Sequence, residues 1–151
     1  MPITNSDLAD PALRHAETEQ DLRACYPVMR QLRPHLQDEA DLIQRILRMR
    51  QARYRLLAAW EGDEVVALAG YRLQENLIYG SFLYVDDLVT TERSRGSRWG
   101  ARLLDELTHI AEQAGCAKLV LDTGLANSLA HRFYSRQGLL TGAIRFAKSL
   151  D

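Results

Sequence analysis

The stretch from Tyr84 to Ala101, YVDDLVTTERSRGSRWGA, constrains this chain more than any other. It opens inside an apolar strand, Phe82-Leu83-Tyr84-Val85, which carries Asp86 and Asp87 and closes on Leu88-Val89-Thr90. A short turn follows, with cations at Arg93, Arg95 and Arg98 and glycines at Gly96 and Gly100, and a long amphipathic helix begins there. Strand, basic turn and helix start are the parts of an anion site. First-turn N–H groups have no partner inside the helix, and the aligned peptide dipoles favour negative charge at that end. Arginine adds charge, and glycine lets backbone come close to a ligand. Two aspartates in an otherwise buried strand are costly unless they are paired or do chemistry.

Two familiar phosphate patterns do not fit. The Walker loop needs Gly-Lys-Ser/Thr, and the dinucleotide loop needs three spaced glycines with an acid after the next strand. Neither is present. Taken alone, the loop also reads as a solvated basic turn capped by Ser97.

The rest of the chain sets the architecture. Residues 1–11 read as loose and polar, with Pro2 and Pro11 as breakers. A short strand is expected over Ala12–Ala16. A helix then starts at Thr18, carries Leu22, Tyr26, Met29 and Leu32 at helical spacing, meets Pro27 as a break or kink, and ends at Pro34. Asp38 opens a second helix to about Gln51. Tyr54–Trp60 and Glu64–Leu73 form a hairpin about Gly62-Asp63, and Gln74–Gly80 is a connector. Ser81–Thr90 is the central strand, Ser97–Ala114 a third helix closed by Gly115, and Lys118–Thr123 another buried strand. A last helix starts at Asn127 or Ser128 and stops before Gly138, and Ile144–Lys148 reads as a final strand.

This order implies a single α/β domain over 1–151. The sheet is mixed, antiparallel in its first half, with a parallel central pair joined by a right-handed crossover and helices on both faces. A ligand belongs at the carboxyl end of the central strand.

Bulk properties exclude some classes. A net charge of −1 argues against a protein built to bind nucleic acid by charge. No apolar run approaches the roughly 20 residues of a membrane span. Cys25 and Cys116 are too few and too distant for a disulfide framework or a metal site, and His15, His35, His109 and His131 are scattered. No signal pattern opens the chain, so a soluble, cytoplasmic protein with reduced thiols and no metal is expected.

Three stretches together resemble the GNAT superfamily of acetyl-CoA-dependent N-acetyltransferases. The first is the acid-bearing strand Val85-Asp86-Asp87-Leu88-Val89. The second is the turn Arg95-Gly96-Ser97-Arg98-Trp99-Gly100, similar to the family's Arg/Gln-x-x-Gly-x-Gly/Ala loop. The third is Asn127-Ser128-Leu129-Ala130-His131-Arg132-Phe133-Tyr134 with Gly138, similar to Asn-x-x-Ala-x-x-Phe-Tyr-x-x-x-Gly. The family usually has glycine where this chain has Arg98.

The resemblance implies a GNAT-like acyl-CoA N-acyltransferase fold with acetyl-CoA as co-substrate. It implies that the main chain of Leu88, Val89 and Thr90 pairs with the pantetheine arm. Arg95, Gly96, Ser97, Arg98, Trp99, Gly100 and Ala101 would then cradle the pyrophosphate, Asn127 would bond the cofactor, and Tyr134 would sit near the sulfur.

Acetyl transfer by direct attack requires a neutral amine, and alkyl amines have pKa values of about 10. A carboxylate takes the proton, and Asp86 and Asp87 are the candidates, with Asp86 preferred by the resemblance. As strand neighbours they are expected to point to opposite faces. Tyr134 is the candidate acid for the departing thiolate. Each residue has a plainer reading: an ion-paired aspartate, a core tyrosine, an asparagine cap. Cys116, His109 and His131 receive no role.

The acceptor is an amine on a small molecule or peptide, and the paired acids hint at a cationic one. A non-catalytic acyl-CoA-binding sensor or partner module on the same fold is the alternative. An enzyme for a longer acyl-CoA or a hydroxyl acceptor is a third reading. A homodimer is compatible with exposed sheet edges.

Overall fold

The structure, a computed structural model, describes residues 3–150. The elements are β1 (Leu13–His15), α1 (Glu19–Leu32), α2 (Glu39–Met49), β2 (Arg55–Glu61), β3 (Glu64–Asn76), β4 (Gly80–Thr90), α3 (Trp99–Gln113), β5 (Lys118–Leu121) and α4 (Ser128–Arg136). The strands form one mixed sheet in the order β1-β2-β3-β4-β5, antiparallel from β1 to β4. Ala117, just before β5, donates its N–H to the Ser81 carbonyl at 2.8 Å, so β5 starts beside the start of β4 and α3 is the crossover between them. This is the mixed α/β sheet expected.

The chain divides into two compact units, with the boundary between Val120 and Leu121. In the first unit, alternation along the strands builds two cores. Leu56 and Ala58 of β2, Leu68 of β3 and Val89 of β4 join Leu22, Cys25, Val28 and Met29 of α1 and Leu42, Ile43 and Ile46 of α2. The intervening buried residues Leu57, Ala67, Ala69 and Tyr71 point the other way, to the side covered by α3 with Leu103, Leu104, Leu107 and Ile110.

Caps begin α1 and α2 where the sequence places them. Thr18 Oγ1 accepts the Asp21 N–H at 3.1 Å, and Asp38 Oδ1 accepts the Asp41 N–H at 2.8 Å. Three local expectations change. First, α1 runs unbroken through Pro27, because burial of Leu22, Cys25, Val28 and Met29 outweighs the hydrogen bond that proline removes. Second, β3 continues to Asn76 and pairs with β4 from Gly80, so the expected connector shrinks to a tight turn. There Asn76 Oδ1 accepts the N–H groups of Ile78 and Tyr79. Third, no strand forms at Ile144–Lys148, and residues 139–150 carry neither helix nor strand. The alternation at Ile144 and Phe146 suits a strand, yet a strand also needs a ladder partner, and local pattern does not supply one.

Candidate active site

The acid pair sits in a β-bulge. Along the β3–β4 ladder Gly70 opposes Asp87, while the next residue, Tyr71, opposes Val85. Asp86 is therefore the extra residue. In an unbroken strand Tyr84 and Asp86 would share a face and Asp87 would lie on the other. The insertion resets this alternation, so Asp87 follows Tyr84 on the side of Arg72. The expectation of opposite faces is corrected: both acids bond to cations on the α1 side of the sheet.

Three residues distant in sequence complete the site. Arg72 of β3 donates its Nε–H to Asp86 Oδ2 at 2.7 Å. Arg33, the residue that closes α1, donates Nε–H to Asp87 Oδ1 at 3.0 Å and an Nη2–H to the Asp86 carbonyl at 2.9 Å. Tyr54, leading into β2, donates its hydroxyl to Asp87 Oδ2 at 2.7 Å. No motif marks these residues. What brings them together is the ladder register and the end of α1.

Electrostatics differentiate the pair. Burial pushes the Asp86 carboxyl above its ordinary value; the Arg72 hydrogen bond and charge pull it back, and the Asp87 charge pushes it up again. The Tyr54 phenol is buried and faces Asp87, and both effects raise it well above its ordinary value, so it stays a donor. Two carboxylates face two guanidinium groups, which leaves the cluster close to neutral.

Leu88, Val89 and Thr90 follow the bulge, opposite Ala69, Leu68 and Ala67. β5 has four residues against eleven in β4 and starts at the Ser81 end, so it lines only part of that edge. The turn then leads into α3. Gly96 takes φ +88 and lies exposed, with open space around it. Arg98 holds the position before α3 in the left-handed region, at φ 69 and ψ 16. The helix therefore starts at Trp99, two residues later than expected. Ser97 does not cap it; its hydroxyl bonds the Ser94 carbonyl.

No side chain caps α3, and its first turn, Trp99, Gly100 and Ala101, carries no acid. The uncapped N–H groups, the basic residues Arg95 and Arg98, and the open Gly96 fit a pyrophosphate. Trp99 is buried, and Arg102 lies over its ring at 4.1 Å.

Asn127 and Tyr134 belong to the second unit. Asn127 Oδ1 caps α4 by accepting the Ala130 N–H at 3.1 Å. Tyr134 lies on α4 beside Phe133, with ring centroids 5.4 Å apart, and burial raises its phenol above the ordinary value.

His109 and His131 bond the carbonyls of Asp7 and Gly124. Burial pushes the Cys25 thiol up to about 12 and raises that of Cys116 as well, the opposite of what a nucleophile needs. Among the described residues no cluster of His, Cys, Asp or Glu could hold a metal ion, and no helix is long and apolar enough to cross a membrane. An open groove of about 790 Å³ between α1 and the β2–β3 hairpin is lined by Val28, Val65 and Thr91 and by neither acid of the pair.

A family model described as Acetyltransferase (GNAT) family matches residues 15–139. The chain belongs to the GNAT family. It is 31% identical over 123 residues to the uncharacterized N-acetyltransferase YhdJ of Bacillus subtilis (strain 168), covering 82% of this chain and 87% of that protein. It is 34% identical over 98 residues to the aminoalkylphosphonate N-acetyltransferase of Salmonella typhimurium, covering 64% of this chain and 62% of that protein. Among solved structures, AAC(6')-Iy in complex with the bisubstrate analog CoA-S-monomethyl-acetylneamine superposes with a TM-score of 0.77 at 15% identity, covering 92% of this chain and 97% of that one. That likeness shows the GNAT fold.

Proposed function

We propose that this GNAT protein is a cytoplasmic, acetyl-CoA-dependent N-acetyltransferase whose acceptor is a small primary amine, and that residues 1–151 act as one catalytic domain. One observation carries the reading: a bulge holds two acids on β4, and the turn that follows this strand leads into an uncapped helix start that is free of acids. A binding module needs the second feature but not the first. The relatives named above support it, one as an acetyltransferase of an aminoalkylphosphonate and another through its CoA-containing bisubstrate analog.

Acetyl-CoA supplies the activated acetyl group. The chain's own residues do the rest. The first-turn N–H groups of Trp99, Gly100 and Ala101, with Arg95, Gly96, Ser97 and Arg98, hold the pyrophosphate. The main chain of Leu88, Val89 and Thr90 offers edge groups to the pantetheine amides. Asp86, whose raised carboxyl favours taking a proton, deprotonates the ammonium of the acceptor directly or through water, with Asp87 beside it. Tyr134 stays protonated and donates to the thiolate, and Asn127 orients the cofactor. Because the acid cluster is close to neutral, a compact amine suits it better than a polycation.

The deciding experiment measures melting with acetyl-CoA and with ATP, followed by CoA release across a panel of small primary amines. A ligand that binds only the folded state at a hundred times its dissociation constant adds about 2.7 kcal/mol. A shift with acetyl-CoA but not ATP, together with amine-dependent CoA release, is the expected result. A shift without release from any amine would identify an acyl-CoA sensor instead.

A further inference from the structure

We propose that Tyr54 and Gly70 are positioning residues for acetyl transfer: Gly70 leaves the space in which the Tyr54 hydroxyl reaches Asp87, and that contact seats the acid pair in its bulge. The proposal rests on the acetyltransferase reading and goes beyond it, because none of the three stretches that carry the family resemblance includes either residue.

The geometry is specific. Gly70 lies on β3 directly opposite Asp87, at the point where the register shifts. A Cβ built there would stand 2.0 Å from the Tyr54 hydroxyl oxygen, 2.6 Å from Tyr54 Cζ and 2.6 Å from Asp87 Oδ2. Any other residue at 70 must displace either the phenol or the acid. Glycine also weakens a strand interior, so a β3 glycine at the bulge has a packing reason. The phenol is nearly completely buried, so it cannot swing out to solvent without opening the α1-side core.

The hydroxyl leaves Asp87 with a donor on each oxygen, Tyr54 on Oδ2 and Arg33 on Oδ1. That division leaves Asp86 as the acid with a single side-chain donor, Arg72. Among the described residues, the side chains that donate to the two carboxylates are Arg33 at the end of α1, Tyr54 before β2 and Arg72 of β3. Of these only Tyr54 is a neutral donor. Removing its hydroxyl therefore deletes one hydrogen bond to the ionised pair without changing the charge count. A coupled pair that loses a donor to its anionic form binds protons more readily.

Two variants separate the roles. Tyr54→Phe removes the donor and keeps the ring. The expected result is a kcat for amine acetylation lower by about tenfold or more, a retained acetyl-CoA Kd, and an acid limb of the pH–rate profile moved to higher pH. Gly70→Ala displaces the phenol and the bulge and should also raise the KM for acetyl-CoA. Because it acts through the Tyr54 ring, it should cost far less on top of Tyr54→Leu than alone, a non-additivity that keeps the test meaningful where Gly70→Ala by itself folds poorly.

Carbon-13 carboxyl NMR titration of the two aspartates in the wild-type protein and in Tyr54→Phe provides a readout independent of turnover. The pair should titrate at higher pH in the variant. Absence of acetyl transfer by the wild-type protein would sink the functional reading, while the titration would still decide whether the Tyr54 hydroxyl seats the acid pair. A Tyr54→Phe protein with wild-type titration and pH profile, or one whose activity falls only in proportion to a lowered melting temperature, would overturn it.

Discussion

The buried carboxylate of Glu106 accepts the backbone N–H of Asp10 at 2.7 Å and that of Ala9 at 3.1 Å. One turn earlier on α3, Arg102 closes on both Asp10 carboxylate oxygens at 2.8 Å while its guanidinium covers Trp99, the first residue of the helix. The segment before β1 is thereby tied to the helix that begins at the proposed phosphate turn. Glu106→Ala removes the acceptor from two N–H groups and leaves a small void. Hydrogen bonds to a charged group contribute roughly 1.5–3 kcal/mol. The expected result is a stability loss of that order in urea unfolding, with earlier proteolytic cutting in residues 3–12 than in the parent.

His15 makes stability depend on pH. It is 1% exposed, with Nδ1 2.9 Å from Asn5 Oδ1 and Nε2 2.7 Å from the Tyr71 hydroxyl. Asn5 Oδ1 also accepts the His15 N–H, so Nδ1 carries the proton and Nε2 accepts from Tyr71. Burial, helped by the charge of Arg55, pushes the imidazole from 6.5 to about 3. A group held neutral in the fold but free to charge when unfolded stabilises fully above 6.5, and its contribution is lost as pH falls towards 3. This group alone should remove about 1.4 kcal/mol per pH unit below that upper value. Urea unfolding at pH 7, 6 and 5 measures the slope. His15→Phe should be less stable at pH 7 and show a flatter slope.

Much of this fold is legible in local pattern. The caps at Thr18 and Asp38, the helical spacing of Leu103, Leu107 and Ile110, and the hairpin about Gly62 each follow from a few neighbouring residues. The candidate site was half legible. Asp86, Asp87 and the turn to Ala101 are contiguous and announce themselves by composition. The bulge does not, because one inserted residue leaves no trace in an apolar run and yet reverses the face of Asp87. Arg33, Tyr54 and Arg72 were equally hidden, since the ladder and the end of α1 bring them to the acids from elsewhere in the sequence. The failed strand at Ile144–Lys148 is the converse case, a strand-like pattern without a partner.

Arg98 occupies the left-handed region at φ 69, where the family usually has glycine. For a residue with a Cβ that conformation costs roughly 1–2 kcal/mol. Glycine removes the cost, but its greater freedom in the unfolded chain returns roughly 0.4–1 kcal/mol. Arg98→Gly is therefore expected to leave stability unchanged or slightly raised, as measured by urea unfolding, whereas glycine at an ordinary helical position destabilises. If the proposed cradle holds the pyrophosphate chiefly through backbone N–H groups, which every non-proline residue retains, the Kd for acetyl-CoA should change by less than about threefold. Isothermal titration with acetyl-CoA tests this, and a much larger loss would assign the phosphate contact to the guanidinium instead.

Tyr134 tests the proposed chemistry most directly. Burial raises its phenol, so the hydroxyl remains protonated at neutral pH and above. Phenylalanine there removes one oxygen and keeps the ring that packs beside Phe133. As a general acid the hydroxyl would contribute roughly 10²–10⁴-fold to the rate. The expected outcome for Tyr134→Phe is a kcat lower by that factor, with melting temperature and acetyl-CoA Kd close to those of the parent. The basic limb of the pH–rate profile, set by loss of the phenolic proton, should disappear. Acetyl donors give the same answer by another route: with acetyl-CoA replaced by a thioester whose thiol is more acidic, the departing thiolate needs less help, and the gap between parent and variant should narrow. A variant that keeps its full kcat would place Tyr134 among the core aromatics and leave the thiolate to be protonated by solvent.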